Sequence, residues 1–306
     1  MNLPIVRHSD YDATLPDGHR FPMAKFAALA EILVVRGLAL DGFIAPQPAS
    51  RDQLIGAHDA DYVDAVLSLQ LCAQAQRRIG LPVTAAVMAR SVRAVGGTIL
   101  AADLALAHGL AVNAAGGSHH AGRDGGAGFC VFNDVAVASC DLLARSAIRQ
   151  ALVIDLDVHQ GDGTATIFAD DPRVFTLSVH GETNFPTRKA VSDLDIGLPR
   201  GTGSEAYLAA LKSALATAFA RCAPDLVFFN AGIDPHMDDA LGHLSLSDAG
   251  LAARDKMVFD AVAARGVPMA IVAGGGYGGD PGVIAARHAD VIARAAARFS
   301  TWPRRR

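Results

Sequence analysis

The sequence predicts an α/β fold: a three-layer αβα sandwich around a parallel sheet, carried by one domain over residues 1–306. Two observations predict it. Short apolar segments recur along the chain, and Ala-rich segments of helical period lie between most of them. The apolar segments also run without polar alternation, as strands do when helices cover both faces of a sheet.

In chain order the predicted strands are 110–113, 151–157, 174–179, 225–230 and 268–272, each bounded by Gly, Asp, Pro or His. The predicted helices are 85–108, 134–145, 205–222 and 248–265. With 51% hydrophobic and 19% charged residues, the chain has apolar material for a sizeable core and too little charge for disorder. A net charge of −4 without a basic stripe argues against nucleic-acid partners. The basic end WPRRR, 302–306, reads as a solvated tail. The N-terminus shows no signal pattern, and the apolar segment 27–40 is broken by Glu31 and Arg36 and too short to span a bilayer. The expectation is a soluble cytoplasmic protein with no membrane partner. Cys72, Cys130, Cys140 and Cys222 have no CxxC spacing and read as reduced, mostly buried thiols.

Open parallel sheets bind ligands beyond the carboxyl ends of their strands. Four predicted strands end in chemistry there. ALVIDLDVH carries Asp155, Asp157 and His159 into the Gly-rich turn QGDG. LVFFNAGID ends at Asp234, PMAIVAGGGY at Tyr277, and LAVNAAGGSHH at His119 and His120. Singly, a strand-end Asp is a turn former and a lone His a structural residue. Four strand ends delivering Asp, His, Tyr and Gly to one rim are not explained as caps. Asp157, His159 and Asp234 offer two carboxylates and an imidazole, the three-ligand plan of a catalytic zinc site with an open position. Such a metal polarises a carbonyl and acidifies water. His119 and His120 supply a general base and acid, oriented by Asp155 and Asp162. Tyr277, brought close by Gly274–Gly276, donates to a developing oxyanion.

The blocks GGSHHAGRDGGAGFCVFND, VIDLDVHQGDGTATIF, NAGIDPHMDDALGHLSLS and AGGGYGGD resemble those of the zinc-dependent histone deacetylase superfamily over nearly the whole chain. DLDVHQGDG, RGTGSEAY and NAGIDPHMDDALGHLSLSDAGLAARDKMVF are most similar to its class IV. The resemblance implies an arginase/deacetylase-like fold. It implies a metal-dependent amidohydrolase that removes acetyl or longer acyl groups from N-acyl lysine, or alternatively from acetylpolyamines or other small N-acyl amines. It implies Asp157, His159 and Asp234 as ligands of Zn²⁺, with Fe²⁺ or Co²⁺ also accommodated. It implies His119 and His120 with Asp155 and Asp162 as their respective partners, His120 as general base and acid, and Tyr277 as the catalytic tyrosine. Gly128, Phe129, Phe185 and Leu241 match walls of the acyl tunnel, and Arg20 matches an arginine beside an internal channel or, alternatively, is a surface arginine. The main chain of Asp155, Asp157, His159 and Val179, with Ser178, matches a K⁺ site.

Two features depart from the family pattern. The segment RIGLP, 78–82, carries no carboxylate where many deacetylases hold the substrate backbone. The chain also has no long extensions of the kind that recruit corepressor partners. Gly242, His243, His236, Asp238 and Asp239 read as rim or structural residues. A binuclear ureohydrolase needs further ligands after His159 and Asp234, where Gly161 and His236 stand. A catalytically dead acyl-lysine reader would have lost a ligand, a histidine or the tyrosine, and none is lost.

Overall fold

Seven parallel strands form one sheet in the order β1-β2-β7-β6-β3-β4-β5. The structure, a computed structural model, describes residues 2–303. The strands are β1 (Ile5–Val6), β2 (Leu110–Asn113), β3 (Ala151–Asp155), β4 (Val174–Gly181), β5 (Leu194–Leu198), β6 (Leu226–Asn230) and β7 (Met269–Val272). The helices are α1 (Lys25–Val35), α2 (Arg51–Ile55), α3 (Ala60–Leu67), α4 (Ala73–Ile79), α5 (Ala85–His108), α6 (Asp134–Ala144), α7 (Asp162–Ile167), α8 (Ser204–Arg221), α9 (Asp248–Ala263) and α10 (Pro281–Phe299).

All five predicted strands form, and their ends differ for local reasons. β3 stops at Asp155 rather than 157 because the Asp155 carboxylate accepts the Asp157 N–H at 3.2 Å and turns the chain out of the ladder. β6 begins after Asp225, whose carboxylate is occupied by the Arg149 and Gln150 N–H groups. No sequence pattern marks the edge strands: β1 has two residues, and β5 is half-exposed and broken by Asp195 and Gly197.

Strand alternation divides the core. Val153 and Phe228 face the layer of α5 and α6. Leu152, Ile154, Val227 and Phe229 face α1, α8, α9 and α10. Both faces are covered, so the strands read as unbroken apolar runs. α5 is long and apolar enough to cross a bilayer, but 67% of its most apolar stretch is buried inside the protein. The expected solvated tail is a correction: Trp302 is buried, donates from Nε1 to Val267 O at 3.2 Å and meets Phe259 edge-on. Arg304, Arg305 and Arg306 lie outside the described residues.

After β3 the chain steps outward through β4 to β5; from β6 it steps the other way to β7. The crevice between β3 and β6 is therefore the switch point of the sheet, where strand ends splay and ligands bind. α9 buttresses this place from behind. Arg254, wholly buried, donates to the carbonyls of Leu156 and Gly232, one just past each strand, and pairs with Asp255 at 2.8 Å. Arg254→Met leaves those carbonyls without their donor and Asp255 with Arg294 alone. The expected loss is about 3–5 kcal/mol, read as a lower urea midpoint; an unchanged midpoint would show that the buttress carries no stability.

Candidate metal centre and acyl tunnel

Asp157, His159 and Asp234 converge at the β3/β6 crevice, with one donor atom from each within 4.8 Å of the others. His159 Nδ1 lies 2.9 Å from Asp157 Oδ1 and 3.2 Å from Asp234 Oδ2. The other lone pairs are fixed by the main chain. Gly275 N–H donates to Asp157 Oδ2 at 2.7 Å, and Val158 N–H donates to Asp234 Oδ1 at 2.9 Å. Asp234 Oδ2 is buried with no hydrogen-bond donor. Burial and the neighbouring Asp157 push the Asp234 carboxyl up to about 7. Burial alone would lower His159, but Asp157 and Asp234 hold it at about 10. A buried donor set so short of positive charge, with one oxygen unclaimed, fits a divalent cation, and its O₂N composition suits zinc or a similar metal. Gly275 is required here: a Cβ would stand 2.1 Å from Asp234 Oδ2 and 2.6 Å from Asp157 Oδ2. Among the described residues this is the one such group; His236 turns instead toward Asp238 and Asp248.

Two histidine–aspartate pairs stand beside it. His119 Nδ1 lies 2.6 Å from Asp155, and His120 Nδ1 lies 2.6 Å from Asp162. With each carboxylate accepting a hydrogen bond from Nδ1–H, Nε2 is the nitrogen turned away from it. The two rings differ in charge. Burial and adjacent His119 lower His120 to about 4, so its ring is neutral. For His119, Asp155 and Asp157 overcome burial and raise it to about 9. Tyr277 shares the chamber, its ring 6.0 Å from that of His159, and its hydroxyl takes no partner among the described residues. Burial and then Asp157 raise its pKa well above the ordinary tyrosine value, so it remains a donor.

A pocket of about 260 Å³ leads down to this chamber. Gly128, Phe129, Phe185 and Leu241 line it together with His120, His159 and Tyr277. Phe129 holds a left-handed backbone, φ 67°, its N–H tied to Ile79 O. Such strain in a non-glycine residue is kept where surroundings over-determine it. Gly128 lets the wall close up, since a Cβ there would sit 2.4 Å from the His120 ring. Phe185 is exposed at the mouth and meets His120 edge-on at 4.7 Å. The channel match is a correction, and Arg20 takes the surface alternative. It is exposed at the mouth and not beside an internal channel. The arginine behind the chamber is Arg90 of α5, buried against Phe26 and lining a cavity of about 30 Å³ with Asp157 and Tyr277. Of the residues matched to K⁺ binding, Asp155 lies opposite Ser178 in the β3–β4 register and Val179 follows it.

Residues 19–291 match the histone deacetylase domain. The chain belongs to the histone deacetylase family. An uncharacterised protein of Picosynechococcus sp. is 48% identical over 278 residues, 90% of this chain and 93% of its own. Histone deacetylase 2 of Arabidopsis thaliana is 32% identical over 286 residues, 89% of this chain and 74% of its own. The crystal structure of an HDAC homologue complexed with SAHA shares the fold, with a TM-score of 0.83 at 24% identity over 97% of this chain and 84% of that one.

Several groups organise this histone deacetylase family site through contacts that sequence patterns do not show, Asp239 among them although the sequence reads it as a rim or structural residue. Asp239 accepts from Tyr277 N–H at 2.6 Å and from Leu241 and Gly242 N–H, tying the tyrosine to the tunnel wall. Asp134 accepts from Gly117 and Ser118 N–H and fixes the turn before the paired histidines. Asn184 bridges the Phe185 loop to Leu241 and His243. Lys25 is buried under the tyrosine loop, 3.3 Å from the carbonyls of Gly274 and Gly276. Each is a polar residue paired with main chain far away in sequence, and no local spacing announces that.

Proposed function

We propose that the protein is a metal-dependent amidohydrolase, closest to class IV deacetylases, that removes acetyl or longer acyl groups from N-acyl lysine. One observation carries this: an aromatic-walled tunnel ends where a carboxylate–imidazole donor set, a neutral histidine base and a free tyrosine hydroxyl all face one small volume. An aliphatic acyl-lysine stem suits the Phe129 and Phe185 walls, and its amide reaches the polar floor.

A cation held by Asp157, His159 and Asp234, Zn²⁺ by preference with Fe²⁺ or Co²⁺ also accommodated, supplies Lewis acidity to the amide carbonyl and to water. His120 Nε2 accepts the proton from the attacking water, Asp162 steadying the imidazolium that forms. Tyr277 donates to the carbonyl oxygen as it gains charge. His120 then passes its proton to the departing lysine amine, completing base and acid roles with one side chain. His119, paired with Asp155, holds positive charge beside the reacting centre. Main-chain binding of K⁺ at Asp155, Asp157, His159 and Val179 with Ser178 belongs to the same proposal.

The test is hydrolysis of fluorogenic acyl-lysine peptides of graded acyl length by protein loaded with Zn²⁺, Fe²⁺ or Co²⁺. Turnover is expected to vanish with a chelator and return on adding metal. Absence of hydrolysis for every acyl length and metal overturns the proposal.

A further inference from the structure

The rim of the tunnel is rich in cations although the chain carries a net charge of −4. Phe185 is a partition: on its outer side lies a groove of about 620 Å³, lined by Arg78, Arg188 and Lys189. Arg20 stands on the tunnel side. Two carboxylates line the groove against these cations. Asp124 lies 3.9 Å from Arg78, both well exposed, and Asp162 is committed to His120 at 2.6 Å. Lys189 donates to the carbonyls of Asn184 and Pro186, which anchors it without cancelling its charge. Arg20 and Arg188 are exposed and make no ion pair or side-chain hydrogen bond with any described residue.

Like charges gathered at one mouth repel each other, and Arg20 and Arg188 make no hydrogen bond or ion pair with the described residues that would offset this. What they give is a field that attracts an anionic partner and repels a cationic one. The acyl chain occupies the tunnel, so only the flanks of its lysine reach the groove. Residues one or two positions away advance by about 3.3–3.6 Å each, a short step to either side of Phe185. We infer that this groove recognises carboxylate side chains flanking the acyl-lysine. The protein thus prefers acyl-lysine in acidic peptide segments, and acyl amines carrying further ammonium groups, such as acetylpolyamines, are poor substrates. The inference rests on the amidohydrolase reading above.

Two peptides with a central acetyl-lysine test it, one flanked by Glu and one by Lys at the two positions on each side. Exposed ion pairs are each worth about one- to fivefold. With several acting together, the metal-loaded enzyme is expected to show a kcat/KM about tenfold higher for the Glu peptide, expressed in KM. The ratio should shrink toward one as salt rises from about 0.05 to about 0.5 M, where screening shortens to a few ångströms. The double variant Arg20→Glu, Arg188→Glu should lose or reverse the preference. Equal or reversed preference in the native protein overturns the inference, as does a preference that ignores salt or survives both reversals. Fluorescence anisotropy of the same labelled peptides reads binding without turnover. Tighter binding of the Glu peptide with neither peptide hydrolysed overturns the amidohydrolase reading and upholds the groove. Equal binding and equal hydrolysis do the opposite.

Discussion

Asp234→Asn is expected to abolish metal binding and turnover while leaving the fold intact. The substitution keeps the shape of the side chain and an oxygen for the Val158 N–H, now held at 2.9 Å. It removes the charge and places an amide nitrogen, or an uncharged oxygen, where the unclaimed Oδ2 faces His159 Nδ1 at 3.2 Å. A two-ligand remnant of one carboxylate and one imidazole holds a divalent ion poorly. Lewis-acid stabilisation is worth several kcal/mol, and each 1.36 kcal/mol is tenfold in rate, so kcat/KM should fall by roughly 10³-fold or more. Elemental analysis after loading should find about one metal per native chain and close to none in the variant. A second readout gives the opposite sign. In the metal-free protein, burial and Asp157 work against a charged Asp234, so the variant should melt at or above the native temperature without metal. Added Zn²⁺ should raise the native melting temperature by binding the folded state and leave the variant unmoved. A variant that keeps stoichiometric metal and native turnover would show that Asp234 is not a ligand.

The chemistry of this site was legible in sequence for a topological reason. A doubly covered parallel sheet makes its strands unbroken apolar runs, so a polar residue at the end of a run is conspicuous. Asp155, Asp157, His159, Asp234 and Tyr277 all stand at or just beyond such an end, and the switch between β3 and β6 brings them together. The predicted helices are visible as Ala-rich segments between the strands, and α5 is helical over the whole of the predicted 85–108. What escaped has the opposite character. β1 is too short to show a pattern, and β5 lies at an exposed edge where burial imposes none. Asp239, Asp134 and Asn184 act on main-chain groups whose nearness exists only after folding. Arg20 shows the same limit from the other side. An arginine near the right block of sequence was matched to the channel, yet the guanidinium behind the chamber comes from Arg90 on α5, far along the chain. Spacing assigns residues within a strand end; it does not assign which distant side chain fills the space behind one.

Tyr277→Phe is expected to slow turnover by about 10²–10³-fold with metal content and melting temperature unchanged. The phenyl ring preserves the packing: the contacts with Phe129 at 5.9 Å and His159 at 6.0 Å are made by the ring and not by the hydroxyl. The loop is held by the Tyr277 N–H on Asp239, which the substitution does not touch. The hydroxyl makes no bond to the described residues, so the folded state loses nothing when it goes. In the proposed mechanism it acts on a bound substrate. Burial and then the nearby Asp157 carboxylate raise its pKa well above the ordinary tyrosine value, so the hydroxyl is available as a donor. A donor aimed at an oxygen that gains charge only in the transition state is worth about 2.7–4 kcal/mol. The signature is a fall in kcat and kcat/KM together, with KM nearly constant. A loss expressed only as a raised KM, with kcat unchanged, would make Tyr277 a wall of the tunnel and remove it from the chemistry. Because Asp234→Asn empties the cation site and Tyr277→Phe leaves it loaded, the pair separates loss of the metal from loss of the hydrogen bond that works alongside it.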